Sequence, residues 1–292
     1  MTQAPEAALD IIQGMLTQVE NGNPGMMELV NKQIKEWNLK VEIHNGKLVD
    51  VSDTIEAHLN KFITVNSSMV ALKTDVRKLA KTDGAVLISG ETGTGKELIA
   101  RALHGERDGR FFGINCAGMP EQLTESLLFG YIKGSFTGAD STRQGYMQIA
   151  KDGTLFLDEI GELSMFMQSK FLRALQEHKV TKVGSNTEEE INCRFVCATN
   201  RNLREMCATN TFRKDLYARI STFELHLLPL RDRIEDCFPI IESIKGGKEM
   251  LQAIILKRNQ VRIDDLFDLS LNVRSLEQYV ERYRVLGKLP NC

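Results

Sequence analysis

The sequence predicts an α/β fold: a parallel sheet covered by helices on both faces, followed by a small C-terminal helical unit. Three observations predict it. β-rich runs at 85–89, 111–115, 154–158 and 194–199 alternate with helical runs starting near residues 95, 121, 162 and 202. That rhythm suits a sheet buried on both sides. A glycine-rich GxxxxGK segment lies between the first of these strands and its helix. After about residue 234 strand signals stop, and helical ones run on to Leu286.

A chain of 292 residues is long enough for roughly two domains. The expected division is an N-terminal segment 1–60, an α/β core 61–233 and a helical lid 234–292. In the first segment, 7–20 and 25–38 read as short amphipathic helices broken at Asn21-Gly22-Asn23-Pro24. Alternating runs at 41–43 and 47–51 flank His44-Asn45-Gly46, a hairpin signal. Asp53 with Glu56 three residues on resembles a capping box, and Asn66-Ser67 suits a second helix start. Met69, Leu72, Val76 and Leu79 then fall on one helical face.

Composition excludes several classes. The net charge is −2, so no global field draws the chain to nucleic acid or to an anionic membrane. The first 60 residues carry 4 Lys/Arg against 9 Asp/Glu, and the rest 33 against 30. Neither end is a basic arm. No apolar run approaches the roughly 18 residues that span a bilayer, and the N-terminus lacks the pattern of a signal peptide. A cytoplasmic protein without membrane contact is expected. The six cysteines contain no CxxC pair and read as free thiols in a reducing compartment. The five histidines are scattered, so no zinc site is legible.

Chemistry concentrates in five places. Gly90-Glu91-Thr92-Gly93-Thr94-Gly95-Lys96 stands between strand and helix. There glycines let backbone N–H groups approach phosphate oxygens and Lys96 adds a cation. The general motif continues with Ser or Thr, a hydroxyl ligand for Mg²⁺, but here Glu97 follows. Either Mg²⁺ is held without a hydroxyl or the Glu97 carboxylate acts through water. The apolar strand 154–158 ends in Asp158 and Glu159, at the strand edge where ligands of α/β sheets bind. Asp158 is suited to orient Mg²⁺, and Glu159 to polarise a water for attack on a γ-phosphate. Asn200 ends another apolar strand within reach of that water. Arg213 and Arg219 lie six apart on an expected helix, suited to stabilise phosphoryl-transfer charge across a subunit boundary. Gly134-Ser135-Phe136-Thr137-Gly138-Ala139 sets an aromatic and a threonine between glycines, which suits a mobile tip contacting a partner.

Together these segments resemble the AAA+ domain of bacterial enhancer-binding proteins, the activators of sigma-54 RNA polymerase, over about residues 62–284. GETGTGKE at 90–97 matches the family's GExGTGKE, so Glu97 is its usual residue. GSFTGA at 134–139 differs from the family's GAFTGA loop at Ser135 alone. LFG at 128–130, GTLFLDEIGEL at 153–163, ATNRNLRE at 198–205, FRKDLYARI at 212–220 and LPLRDRIED at 228–236 also match. The resemblance implies an ATPase that uses ATP and Mg²⁺, with Lys96 on the β- and γ-phosphates. Asn115 would be a switch paired with Glu159, Asn200 sensor I, and Arg274 sensor II. Arg213 and Arg219 would be trans arginine fingers, implying a ring, usually a hexamer. Residues 134–139, with Phe136 and Thr137 foremost, would touch sigma-54 and its polymerase holoenzyme.

Three departures stand out. The family's WPGN before the sensor II helix becomes Leu269-Ser270-Leu271-Asn272. The base of the loop reads Tyr131-Ile132-Lys133. Neither end offers a receiver domain or a helix-turn-helix, so sequence-specific DNA binding is not expected. The leading expectation is an ATP-hydrolysing activator that remodels the closed promoter complex. A module that sequesters sigma-54 holoenzyme and a remodeller of another target are the alternatives.

Overall fold

The computed structural model describes residues 54–118, 120–257 and 267–289, together with residues 15, 27–30 and 32 and the backbone of 41–44 and 47–50. The helices expected at 7–20 and 25–38 fall mostly outside these residues, though 27–30 are helical. The hairpin is present. Strand β1 (Val41–His44) pairs antiparallel with β2 (Lys47–Asp50), Val41 opposite Asp50 and His44 opposite Lys47.

Helix α1 (Ile55–Lys61) is capped by Thr54, whose hydroxyl accepts from the Ala57 N–H at 3.2 Å. The cap expected at Asp53, which lies outside the described residues, is therefore corrected by one position. A capping oxygen must sit immediately before the first helical residue to reach the orphan N–H groups of the first turn. Helix α2 (Ser67–Leu79) starts as expected, with Asn66 Oδ1 accepting from Ser68 and Met69 N–H. Met69, Leu72 and Val76 are buried on its inner face.

The core then runs β3 (Val86–Ser89), α3 (Lys96–His104), β4 (Phe111–Asn115), α4 (Glu121–Phe129), β5 (Gly130–Tyr131), β6 (Arg143–Gln144), α5 (Tyr146–Ile149), β7 (Thr154–Asp158), α6 (Met165–Glu177), β8 (Lys179–Thr181), β9 (Glu188–Glu190), β10 (Arg194–Thr199), α7 (Leu203–Ala208), α8 (Lys214–Ile220) and β11 (Phe223–His226). Five strands form one parallel sheet in the order β11-β3-β10-β7-β4. Strand β11 was not expected. The helix expected near residue 162 starts later: a 3₁₀ turn at Ile160–Glu162 intervenes, and Ser164 caps α6 through the Met167 N–H.

Alternation along the strands builds two cores. Leu155, Leu157, Phe195 and Cys197 pack under α4, α6 and α8, whereas Phe156, Val196, Ala198 and Ile88 pack under α1, α2 and α3. Successive side chains point to opposite faces, so a sheet covered on both sides needs strands that are apolar throughout. Buried Arg194 knits the edge away from the site, donating to the carbonyls of Leu79, Gly84 and Leu103. Helices α9 (Cys237–Ser243), α10 (Gly247–Lys257) and α11 (Val273–Leu286) follow. They close on a third core that includes Leu230, Ile241, Met250, Leu276 and Val280.

Candidate nucleotide-binding site

The glycine-rich loop leaves β3 and turns into α3 with Gly95 as the N-cap at φ 103°. Left-handed backbone of this kind favours glycine. Side-chain space is also closed: a β-carbon on Gly93 (φ +79°) would lie 2.2 Å from the Leu271 carbonyl oxygen. Lys96 is buried, and its Nζ donates to the carbonyls of Gly90 at 2.8 Å and Glu91 at 3.1 Å. Burial pushes the Lys96 ammonium below the usual lysine range, while Glu159 and Asp158 pull it back up. A backbone cradle at a helix N-terminus with a buried cation is suited to hold a phosphate.

Two carboxylates face this cradle from the end of β7. Asp158 Oδ1 accepts from the Glu159 N–H at 3.0 Å. Glu159 itself is left-handed, φ 53° and ψ 48°. For a residue with a β-carbon this costs about 1–2 kcal/mol, and such strain clusters at functional positions. Its Oε2 accepts from the Asn200 N–H at 3.2 Å, and Asn200 Nδ2 donates to Thr92 Oγ1 at 3.3 Å. Asn200 thus bridges Glu159 and the P-loop. Asn115 lies beside Asp158 in register, but its Oδ1 accepts from the Ala117 N–H at 2.8 Å. Glu97 Oε1 accepts from both Nε and Nη2 of Arg101, one turn along the helix. Burial first, then Asp158 and Glu159, push the nearby Cys116 thiol up to about 12, which keeps it protonated.

These groups line a cavity of about 530 Å³, ample for a small-molecule ligand. Thr92 to Glu97, Asn115, Asp158 and Glu159 form its polar end. Phe62, Ile63, Ile240, Ile244 and Val273 form an apolar end between core and lid. Arg274, in the first turn of α11, reaches the same cavity. The lid turn survives without its Pro and Gly. The Asn272 N–H donates to the Leu269 carbonyl at 2.9 Å, and Asn272 takes the positive φ of 56°.

Two arginine positions lie outside this cavity. Arg213 is the N-cap of α8 rather than a helical residue, forked onto Asp215 and bonded to Ser169 Oγ. Arg219 is exposed in the last turn of α8 and donates to the Leu175 carbonyl at 3.2 Å.

The 134–139 loop projects beyond the β5–β6 pair. Its ends are joined by the Gly134 N–H donating to the Ala139 carbonyl at 2.9 Å. Phe136 is 46% exposed, with its ring centroid 5.0 Å from that of Tyr131. Ser135, the residue that departs from the family loop, packs on Gly184, and its Oγ is buried with no hydrogen-bond partner among the described residues. An unsatisfied buried hydroxyl costs about 1–3 kcal/mol, so it loosens this conformation. Ser135→Ala is therefore expected to slow hydrogen exchange of the loop amides. Unchanged or faster exchange would mean the hydroxyl finds a partner in solution.

Sequence reasoning missed a network between P-loop and lid. The Glu91 carboxylate accepts a fork from Arg231 at 2.6 and 2.8 Å and a bond from Asn272 Nδ2 at 3.2 Å. Those bonds, Arg231 foremost, hold its carboxyl below the usual range. Buried Arg233 donates to the Thr94 carbonyl at 3.0 Å and lies over the Phe62 ring. Asp236 accepts from Thr64 Oγ1 and from the N–H groups of Val65 and Asn66. The spacing of LPLRDRIED, charged residues in a segment that must fold over the P-loop, carried the only signal.

A P-loop at the C-terminal edge of a parallel sheet, a carboxylate pair at the end of β7 with β10 between it and β3, and a helical lid define an AAA+ P-loop NTPase fold. Within that class the Sigma-54 interaction domain family matches residues 62–226, and the chain belongs to it. The Nif-specific regulatory protein of Azospirillum brasilense is 40% identical over 233 residues, 78% of this chain and 37% of that protein. The anaerobic nitric oxide reductase transcription regulator NorR of Vibrio vulnificus (strain YJ016) is 43% identical over 236 residues, 78% of this chain and 46% of that protein. The regulatory protein AtoC of Escherichia coli (strain K12) is 41% identical over 240 residues, 78% of this chain and 51% of that protein. The chain thus spans about half or less of the length of these relatives. Among solved structures, NtrX from Brucella abortus aligns with a TM-score of 0.64 at 28% identity, covering 81% of this chain and 55% of that one. NtrX in complex with ATP aligns with a TM-score of 0.64 at 27% identity, covering 79% of this chain and 54% of that one. Among the described residues, no helix is long and apolar enough to cross a membrane. Cys116, Cys193, Cys197, Cys207 and Cys237 are free thiols.

Proposed function

We propose that this chain is an ATP-hydrolysing regulator that engages sigma-54 holoenzyme through the GSFTGA loop and remodels the closed promoter complex. One observation carries the reading: a single cavity joins Lys96, Asp158, Glu159 and Arg274 in a chain that also exposes Phe136 on a separate loop. The P-loop from Gly90 to Lys96 binds the phosphates, and the apolar end between core and lid takes the base. Glu159 accepts a proton from water as its oxygen bonds to the γ-phosphorus. The bond to the β,γ-bridging oxygen breaks, and ADP and phosphate leave.

Mg²⁺ fits this donor set. It binds through one or two carboxylates plus substrate phosphates rather than an all-protein cage. Asp158 offers that carboxylate, and no cluster of three or more His, Cys, Asp or Glu suits a metal among the described residues. Asp158 would hold the ion, and Glu97, committed to Arg101, would not. Bound there, Mg²⁺ would neutralise phosphate charge.

Arg213 and Arg219 act on the site of a neighbouring subunit, which requires a ring, a hexamer by analogy with the family. Asn115 exchanges its Ala117 contact for Glu159 in the switched state. The division into residues 1–60, a core at 61–233 and a lid at 234–292 is part of this reading, except that α1 (Ile55–Lys61) crosses the first boundary and packs on the core through Leu59.

The test is Phe136→Ala. It is expected to leave ATP turnover unchanged and to abolish co-migration with sigma-54 in the presence of ADP and a metal-fluoride γ-phosphate mimic. Retained co-migration would remove Phe136 from the contact. An active ATPase that never binds sigma-54 would redirect the loop to another target.

A further inference from the structure

Asn272 sits where three segments meet. Its side chain is fully buried, and its backbone is held at φ 56° and ψ −130°, a conformation that side chains avoid. Such a residue persists only where its surroundings over-determine it, and here they do. Oδ1 accepts from the Leu230 N–H at 2.6 Å. Nδ2 donates to the Thr92 carbonyl at 3.0 Å and to Glu91 Oε2 at 3.2 Å. Both amide protons and the carbonyl of one side chain are therefore spent on the P-loop and on the segment entering the lid.

The next residue repeats the attachment: the Val273 N–H donates to the Gly93 carbonyl at 3.1 Å. The first turn of α11 thus hangs from the P-loop backbone. Arg274 follows directly, and a β-carbon built on Gly93 would lie 3.4 Å from its Cγ. Arg231 completes the arrangement by gripping Glu91 with both terminal guanidinium nitrogens, Nη1 and Nη2, which turns the Glu91 carboxylate toward Asn272 and away from the cavity.

We propose that Asn272 is a positioning residue for Arg274, latched to the P-loop through Glu91 and Arg231, so that the lid arginine reaches the phosphates only while the latch is closed. The proposal rests on the reading of this cavity as an ATP site, and it goes further by assigning an unrecognised role to three residues. Asn272 touches no substrate; it acts through Arg274. Glu91, although part of the P-loop motif, serves the lid rather than the phosphates.

The experiment is a double-mutant cycle on the full chain, with steady-state ATP hydrolysis and binding of a fluorescent N-methylanthraniloyl ATP. Asn272→Gly removes the carboxamide and relieves the backbone strain together. It is expected to raise KM and weaken binding about tenfold, as Arg274→Ala does, with the double variant no worse than Arg274→Ala alone. Independent effects that multiply to about a hundredfold would overturn the proposal. Glu91→Gln guards against a folding defect, because its side chain is partly exposed and the amide keeps an oxygen for Asn272. It should raise KM about threefold in the parent chain and leave KM unchanged in an Arg274→Ala background. An equal rise in both backgrounds would overturn the proposal.

A second measurement needs no nucleotide. Hydrogen exchange at 269–276 should quicken in Asn272→Gly while exchange in β7 and β10 stays constant. Unchanged exchange at 269–276 would overturn the latch. A parent chain that fails to bind the ATP analogue would sink the ATP reading, and the exchange arm would still decide whether the latch exists.

Discussion

Glu159→Gln is expected to lower ATP turnover by about 10²–10⁴-fold, the usual contribution of a positioned general base, and to leave ATP binding near that of the parent chain. The separation follows from geometry. In the proposed reading, phosphate affinity comes from the P-loop N–H groups and from Lys96, which is bonded to the loop carbonyls of Gly90 and Glu91. Glu159 stands across the cavity, and Asn200 links it by hydrogen bonds to the loop. Glutamine keeps the size of the side chain and an oxygen to accept the Asn200 N–H, so the strained turn at 159 is preserved. What it loses is basicity. Single-turnover hydrolysis measured beside equilibrium binding of the fluorescent analogue separates the two. Weakened binding with intact turnover per bound ATP would assign Glu159 to nucleotide affinity and reopen the choice of base.

Much of this site could be read from spacing because its parts are local. The P-loop is seven consecutive residues whose glycines and lysine are each required where they stand. The pair Asp158-Glu159 ends a strand that is apolar because both its faces are buried. The network between P-loop and lid is different in kind. Its bonds join Glu91 to residues 140 and 181 positions away, and no local pattern reports such a pairing. Strand β11 was hidden for another reason. It is four residues, Phe-Glu-Leu-His, at the sheet edge, where one-sided pairing demands little of the sequence. The lid turn shows the limit of reading departures. Proline and glycine are replaced in Leu269-Ser270-Leu271, yet the turn closes because Asn272 accepts the left-handed backbone and compensates with side-chain hydrogen bonds. Those bonds are worth about 0.5–1.5 kcal/mol each, more to ionised Glu91, against roughly 1–3 kcal/mol of strain.

Two inactive variants mixed together are expected to regain activity. Arg219→Ala should cost about 10³–10⁵ in turnover if the arginine serves as a finger, and Glu159→Gln is inactive for the reason above. Within one chain Arg219 lies outside the cavity that holds Glu159, exposed and bonded only to the Leu175 carbonyl among the described contacts. Arg213 is more constrained, since Asp215 and Ser169 already claim its guanidinium. Arg219 is therefore the freer of the two to reach a neighbour. In a randomly mixed ring of equal parts, about a quarter of the interfaces pair an intact Arg219 with an intact Glu159, enough to read against a background lowered a hundredfold or more. The measurement is ATP turnover of the mixture against each variant alone at the same total concentration. Recovery requires that one subunit completes the site of another, which a purely structural role for Arg219 would not produce. A mixture as inactive as its components, from variants that still assemble, would place the charge-stabilising group within the chain, and Arg274 would be the side chain to test for it.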